Sequence, residues 1–169
     1  YLGRVVGIVG RRREGEFGGK YKVYTSELSK YGLSVSSFSK TNYLWREDKV
    51  LGRPESGDLY VVEGFKAALW FVQSGMDMVV ALMGSHLSDS QRDKIVRSGR
   101  RVVLCLDNDR AGRKATLRIS QKLGSVRRLV VPLPMGCPQP DDLTEVELRE
   151  LCQYPRTVSE VRRQWRECR

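Results

Sequence analysis

The chain has 169 residues, 30 of them Lys or Arg against 20 Asp or Glu, for a formal net charge of +10. A hydrophobic fraction of 40% can build a real core and argues against a disordered tail. The charge favours a polyanionic partner, nucleic acid ahead of an acidic membrane surface. No apolar run approaches the roughly 20 residues that span a bilayer, so no membrane role is expected. No secretory pattern opens the chain, and a start at Tyr1 rather than Met reads as an excised fragment or a processed chain.

Residues 1–55 are rich in glycine, with short β-like runs between. Arg4 to Val9 reads as a strand, Arg11 to Glu16 as a polar hairpin loop, and Lys20 to Tyr24 as a half-exposed strand. Ser34 to Phe38 reads as a third strand or a loop. The run Gly52-Arg53-Pro54-Glu55-Ser56-Gly57 is a turn-rich joint and the expected boundary.

From Asp58 onward the pattern becomes regular. Strand 59–62 leads into helix 65–74, where Phe65, Ala68, Leu69 and Val72 share a face and Gly75 stops the helix. Strand 78–82 and helix 89–97 follow, with Ser88 as N-cap and Gly99 as the stop. Strand 102–106 precedes helix 111–122, in which Ala111, Ala115, Ile119 and Leu123 recur at four-residue steps. Strand 127–131 ends at Pro132. This βαβαβαβ order predicts an α/β fold: a parallel sheet flanked by helices, joined by right-handed crossovers. Helices at about 144–152 and 157–167 finish the chain, apolar at Val146, Leu148, Leu151, Val158, Val161 and Trp165.

Two of these strands end on acids. Leu59-Tyr60-Val61-Val62 stops at Glu63-Gly64, and Val102 to Leu106 stops at Asp107-Asn108-Asp109. Parallel strands bring both ends to one edge of the sheet, where ligands of such sheets bind. Glu63, Asp107 and Asp109 would form an all-oxygen site suited to Mg²⁺, since like charges so close need a cation. The plainer alternative is that Asp107 and Asp109 only cap the following helix.

The remaining chemistry-bearing residues carry weaker signals. Cys105, Cys137, Cys152 and Cys168 have no CxxC spacing and His86 is the only histidine, which argues against a structural zinc site. Cys105 reads as a core residue, and a reducing cytoplasm fits (the host cytoplasm for a phage-encoded chain). Arg11-Arg12-Arg13 reads as a solvated hairpin tip. Arg100-Arg101 and Arg127-Arg128 begin strands, so they belong at the sheet edge opposite the acids and read as structural. Tyr21, Tyr43 and Trp45 suit base stacking or core packing equally. Trp70 and Phe71 read as core or interface. His86 is left out of the site.

The acidic pair resembles a TOPRIM domain, whose hallmarks are a Glu after the first strand and Asp-x-Asp after the third. Within that family the resemblance is to bacterial- and phage-type primases. Val61-Val62-Glu63-Gly64-Phe65 resembles their hydrophobic-Glu-Gly-aromatic stretch, and Ala81-Leu82-Met83-Gly84-Ser85 their second strand and Gly-Thr/Ser turn. Asp107-Asn108-Asp109-Arg110-Ala111-Gly112 is similar to Asp-x-Asp-x-Ala-Gly. Gln139-Pro140-Asp141-Asp142-Leu143 is similar to Asp-Pro-Asp-x-Leu, with Gln139 replacing the first acid and Asp142 as an extra one. Upstream, Gly3-Arg4-Val5-Val6-Gly7, Lys20-Tyr21 and Phe38-Ser39-Lys40 resemble the elements that open the primase polymerase core.

The resemblance implies three regions: a small α+β nucleic-acid- and nucleotide-binding subdomain over 1–55, a TOPRIM catalytic domain over 56–143, and C-terminal helices over 144–169. The zinc-binding domain that bacterial-type primases carry in front, and most of the helical subdomain behind, have no counterpart in these residues. The resemblance also implies metal-dependent synthesis of RNA primers on single-stranded DNA from nucleoside triphosphates. Glu63, Asp107 and Asp109 would be catalytic and would hold Mg²⁺ or Mn²⁺ together with Asp141 and Asp142. Glu63 could be ligand or general base. Arg4, Lys20, Lys40 and Arg110 would grip phosphates. A monomer is expected, with a replicative helicase as the natural partner. Two other readings stay open: a TOPRIM nuclease or topoisomerase-type module, and a non-catalytic nucleic-acid-binding module.

Overall fold

The structure is a computed structural model that describes residues 8–11, 21–24, 38–53 and 57–167. In its N-terminal part, strands β1 (Ile8–Arg11) and β2 (Tyr21–Tyr24) pair antiparallel. Arg11, expected in the hairpin loop, stands in the strand opposite Tyr21, because the register Gly10↔Lys22 carries the ladder one residue further. Arg4, Lys20 and most of the Ser34–Phe38 segment lie outside the described residues.

The second sheet positions the site. Strands β3 (Leu59–Val62), β4 (Val79–Ala81), β5 (Val102–Leu104) and β6 (Arg128–Val130) run parallel in the order β4-β3-β5-β6. The expected strands 78–82, 102–106 and 127–131 are longer than those observed. The ladder nevertheless outruns the strand bounds by a residue, with Cys105 N–H donating to Val61 and Val131 N–H to Leu104.

The intervening helices follow from local chemistry. Helix α2 (Phe65–Gln73) ends where Gly75 takes φ 78°, a conformation that glycine adopts without strain. Its buried stripe is Ala67, Ala68 and Phe71; Leu69 is 46% exposed. The expected face of Phe65, Ala68, Leu69 and Val72 is therefore rotated, because the aromatic ring of Phe71 fills the space over the sheet. Helix α3 (Asp89–Arg97) has the expected cap: Ser88 accepts from Gln91 N–H while the Gln91 side chain accepts from Ser88 N–H. Helix α4 (Arg110–Lys122) buries Ala115 and Ile119, with Leu123 just beyond, while Ala111 is exposed. A 3₁₀ turn, Pro140–Asp142, precedes α5 (Glu145–Gln153) and α6 (Val158–Glu167). Leu148 and Val161 are buried as expected, whereas Val146 is 56% exposed.

Alternation along the strands builds a core on each face. Leu59, Val61, Val102 and Leu104 pack with Ile95 of α3, Ala115 and Ile119 of α4, and Val161 of α6. Val62, Val79, Val103 and Cys105 pack with Ala68 and Phe71 of α2 and Leu148 and Cys152 of α5. The packing also reaches across the expected joint at residues 52–57. Leu44 and Val50, the latter on the short helix α1 (Glu47–Val50), are buried in the first of these clusters.

Each outer strand meets one further residue. Trp45 forms an antiparallel bridge to Ala81 on β4, and Arg156 forms one to Val130 on β6. Among the described residues, no helix is long and apolar enough to cross a membrane.

Candidate functional site

The sheet order creates a crevice. From β3 the chain turns through α2 outward to β4; from β5 it turns through α4 the other way to β6. α2 and α4 consequently cover opposite faces, and the backbone opens between the carboxyl ends of β3 and β5. Glu63 is the first residue after β3. Extending the pair Val61↔Leu104 by two places sets Glu63 beside Leu106, with Asp107 one residue further on.

The turn from β5 to α4 fixes both aspartates. Asp109 is the N-cap of α4, and its Oδ1 accepts the Gly112 N–H at 2.7 Å. Asp109 thus does cap the helix, and it does so through Oδ1 alone among the described residues. Asp107 lies in front of the helix, with its backbone against Gly112. A Cβ on Gly112 would stand 2.0 Å from the Asp107 carbonyl oxygen, so only glycine fits this approach.

The acids share one electrostatic field. Burial, then Glu63, Asp109, Asp141 and Asp142, push the Asp107 carboxyl up to about 7. Burial, then Asp109, raises Glu63. Asp107 therefore faces carboxylates from three separate segments. They do not close into a cage: among the described residues, no three His, Cys, Asp or Glu are grouped closely enough to hold a metal ion. The donor set itself, oxygen only and mutually repelling, has the chemistry that a hard divalent cation relieves.

Asp141 and Asp142 already have partners. The Asp141 side chain, 5% exposed, lies 2.6 Å from Lys66 Nζ. No donor is lined up on its Oδ2, so this is a charge contact rather than an aligned hydrogen bond. Asp142 Oδ2 accepts the Gln139 N–H at 3.1 Å and closes the 3₁₀ turn.

Asn108, which sequence reasoning treated only as a spacer, joins these segments. Its Nδ2 donates to the carbonyls of Leu133, Pro134 and Cys137, and its N–H donates to Pro138. Its Oδ1 accepts from Arg113 Nε at 3.0 Å. One amide side chain thus holds the loop that carries Asp141 and Asp142 against the Asp107–Asp109 turn. An amide between two acids is the signal that could have revealed it.

Gln91 was also missed. It is 1% exposed, and its Nε2 donates to the carbonyls of Lys40, Tyr43 and Leu82. It fastens the 40–43 segment to the end of β4. There the backbone is unusual, with Met83 at φ 61° and Gly84 at φ 156°, and the Gly84 N–H donates to the Glu63 carbonyl. A Cβ on Gly84 would lie 3.9 Å from Lys40 Nζ, so Lys40 reaches this turn beside Glu63.

The other expected contacts diverge. Arg110 is exposed on α4 beside Lys114 and Arg118. Tyr43 stacks on Phe38 with centroids 5.5 Å apart, and Lys94 Nζ sits 4.9 Å from the Tyr43 ring. Phe71 is core, and Trp70 Nε1 donates to the Leu143 carbonyl. Cys105 is buried as expected, and burial raises its thiol far above the usual range.

Residues 60–145 match the Toprim-like family. The DNA primase of Rickettsia prowazekii is 35% identical over 105 residues, 60% of this chain and 17% of that protein. The DNA primase of Thermotoga maritima is 34% identical over 112 residues, 66% of this chain and 20% of that protein. Among solved structures, the Aquifex aeolicus primase (zinc-binding and RNA polymerase domains) superposes with a TM-score of 0.72 at 27% identity. That superposition covers 91% of this chain and 38% of the other. The chain spans about a fifth of the length of the curated relatives it matches.

Proposed function

The chain belongs to the Toprim-like family, and from that premise we propose that it is the catalytic part of a bacterial-type DNA primase. Such an enzyme is a DNA-directed nucleotidyltransferase that makes short RNA primers on single-stranded DNA. The observation that carries this reading is the convergence of acids at the β3–β5 crevice, where Glu63, Asp109, Asp141 and Asp142 all bear on a half-buried Asp107. Mg²⁺ or Mn²⁺, when bound, would activate the attacking hydroxyl and neutralise the leaving pyrophosphate.

Glu63, Asp107 and Asp109 are the residues to hold that ion. Asp109 offers the oxygen that Gly112 leaves free. Glu63, raised by burial and by Asp109, is suited either to ligate or to take a proton from the hydroxyl. Asp141 and Asp142 would add charge from the loop that Asn108 holds. Gln139 in place of a further acid favours one ion over two. Lys40, beside the Gly84 turn, would contact phosphates, and Arg4 and Lys20 join it by motif. Single-stranded template and nucleoside triphosphates are the substrates, with a monomer working beside a replicative helicase in the cytoplasm.

The test is oligonucleotide synthesis by the full-length protein on single-stranded DNA with labelled nucleoside triphosphates and Mn²⁺ or Mg²⁺. Primers should appear and should vanish in Asp107→Ala/Asp109→Ala. Aspartate-dependent degradation of DNA without synthesis would replace this reading with a nuclease.

A further inference from the structure

The opposite edge of the sheet carries a second concave surface that primer chemistry does not use. A cleft of about 860 Å³ opens between the later turns of α4, the starts of β5 and β6, and α6. Arg101, Arg127 and Arg128 line it from the sheet, and Arg162, Arg163 and Arg166 line it from α6.

These arginines are not equivalent. Arg101 is held by Asp58 through two contacts of 2.6 Å. Arg128 donates to the carbonyls of Gly124 and Val126. Both are structural, as expected from their place at strand starts, whereas Arg127, expected to be structural with them, is not held in this way. Arg163 feels Glu160, whose carboxylate is bound to Thr157. Arg127, Arg162 and Arg166 are exposed, and among the described residues no hydrogen bond or ion pair engages their side chains. Three unneutralised guanidinium groups therefore converge on one cleft. Holding like charges together costs free energy that a polyanion recovers.

We infer that this cleft is a second nucleic-acid site, a clamp that grips the phosphate backbone of a single strand away from the carboxylates. Guanidinium forks match phosphate oxygens in pairs, and the free charges here are arginine. Arg162 and Arg166 stand one turn apart on α6, ~6 Å along its axis, which spans about two backbone phosphates. Nucleic acid is favoured over an acidic protein segment because the whole chain carries +10, a field that attracts a long polyanion at any approach.

The test is fluorescence anisotropy of a labelled oligonucleotide of about 20 deoxythymidines, over a salt series from about 50 to 200 mM. The wild-type chain is compared with Arg127→Ala/Arg162→Ala/Arg166→Ala. The variant should bind about 10-fold more weakly at the low-salt end, and its plot of log affinity against log salt should be shallower by about 2. Its melting temperature and its Mn²⁺ uptake, followed by electron paramagnetic resonance, should stay at wild-type values. Arg162→Lys/Arg166→Lys should restore most of the salt slope. Unchanged affinity and slope in the triple variant would overturn the inference. So would loss of poly-glutamate binding with DNA binding intact, which would assign the cleft to an acidic protein segment. A protein that loses DNA through this variant yet never makes primers would sink the primase reading and leave the clamp standing.

Discussion

Asp107 is the residue on which the site's charge balance turns. Its folded-state carboxyl is raised to about 7, while an unfolded aspartate titrates near 4. The stability that this difference supplies is complete below about pH 4 and disappears as pH rises through about 7. Asp107→Asn should therefore melt like the wild type near pH 4, a little above it at pH 5 and furthest above it at pH 8. Because the side chain keeps solvent contact, the gain should be only about 1 kcal/mol; calorimetry at these pH values checks it. An equal gain at pH 4 and pH 8 would mean the carboxylates do not face one another. Gly112 is the second residue with a sharp expectation. Gly112→Ala drives a methyl into the Asp107 carbonyl, and a loss of about 2–3 kcal/mol should appear in urea unfolding. Both positions stand out in the sequence as an acid and a glycine in one motif. The contact between them does not, because it depends on how closely α4 approaches the end of β5.

At the scale of elements, the alternation of strands and helices was legible because each buried parallel strand is a short apolar run and each helix carries its own stop or cap. Ser88, Gly75 and Gly99 act where their chemistry predicts. The faces of the helices were less legible. Leu69 sits outside the core because the buried stripe runs through Ala67, Ala68 and Phe71, and Leu69 lies about 200° around the helix from Phe71. Gln91 was illegible for a different reason: of its three acceptors, residues 40 and 43 lie about 50 positions away in sequence and only Leu82 is near. Gln91→Ala should strand three carbonyls and cost about 2–3 kcal/mol. Hydrogen exchange in α3 and at the end of β4 should accelerate with it. A variant that lost stability without faster exchange there would argue that Gln91 does not fasten the 40–43 segment.

For the whole molecule, separation of charge is the organising fact. Carboxylates collect at the carboxyl edge of the sheet, and unpaired arginines collect at the amino edge. A divalent cation should therefore stabilise the fold out of proportion to its ionic strength. With Mn²⁺ at about 100 times its dissociation constant, the gain should reach about 2.7 kcal/mol. Asp107→Ala/Asp109→Ala should lose that gain, as should the wild type treated with chelator. A shift that survives in the double variant would place the ion elsewhere. The sequence already set Arg127 at the edge opposite the acids, but only the packing of α6 brings Arg162 and Arg166 to the same edge.

The bridges made by Trp45 and Arg156 bear on how this molecule behaves among its neighbours. In β4 the residues 78, 80 and 82 turn towards β3, so only Val79 and Ala81 can face outward, and Ala81 is taken by Trp45. On the far side Val130 is taken by Arg156, which leaves Arg128. Each rim thus retains a single residue able to recruit a foreign strand, too little to template one. The chain is thereby spared from stacking sheet to sheet into insoluble fibres.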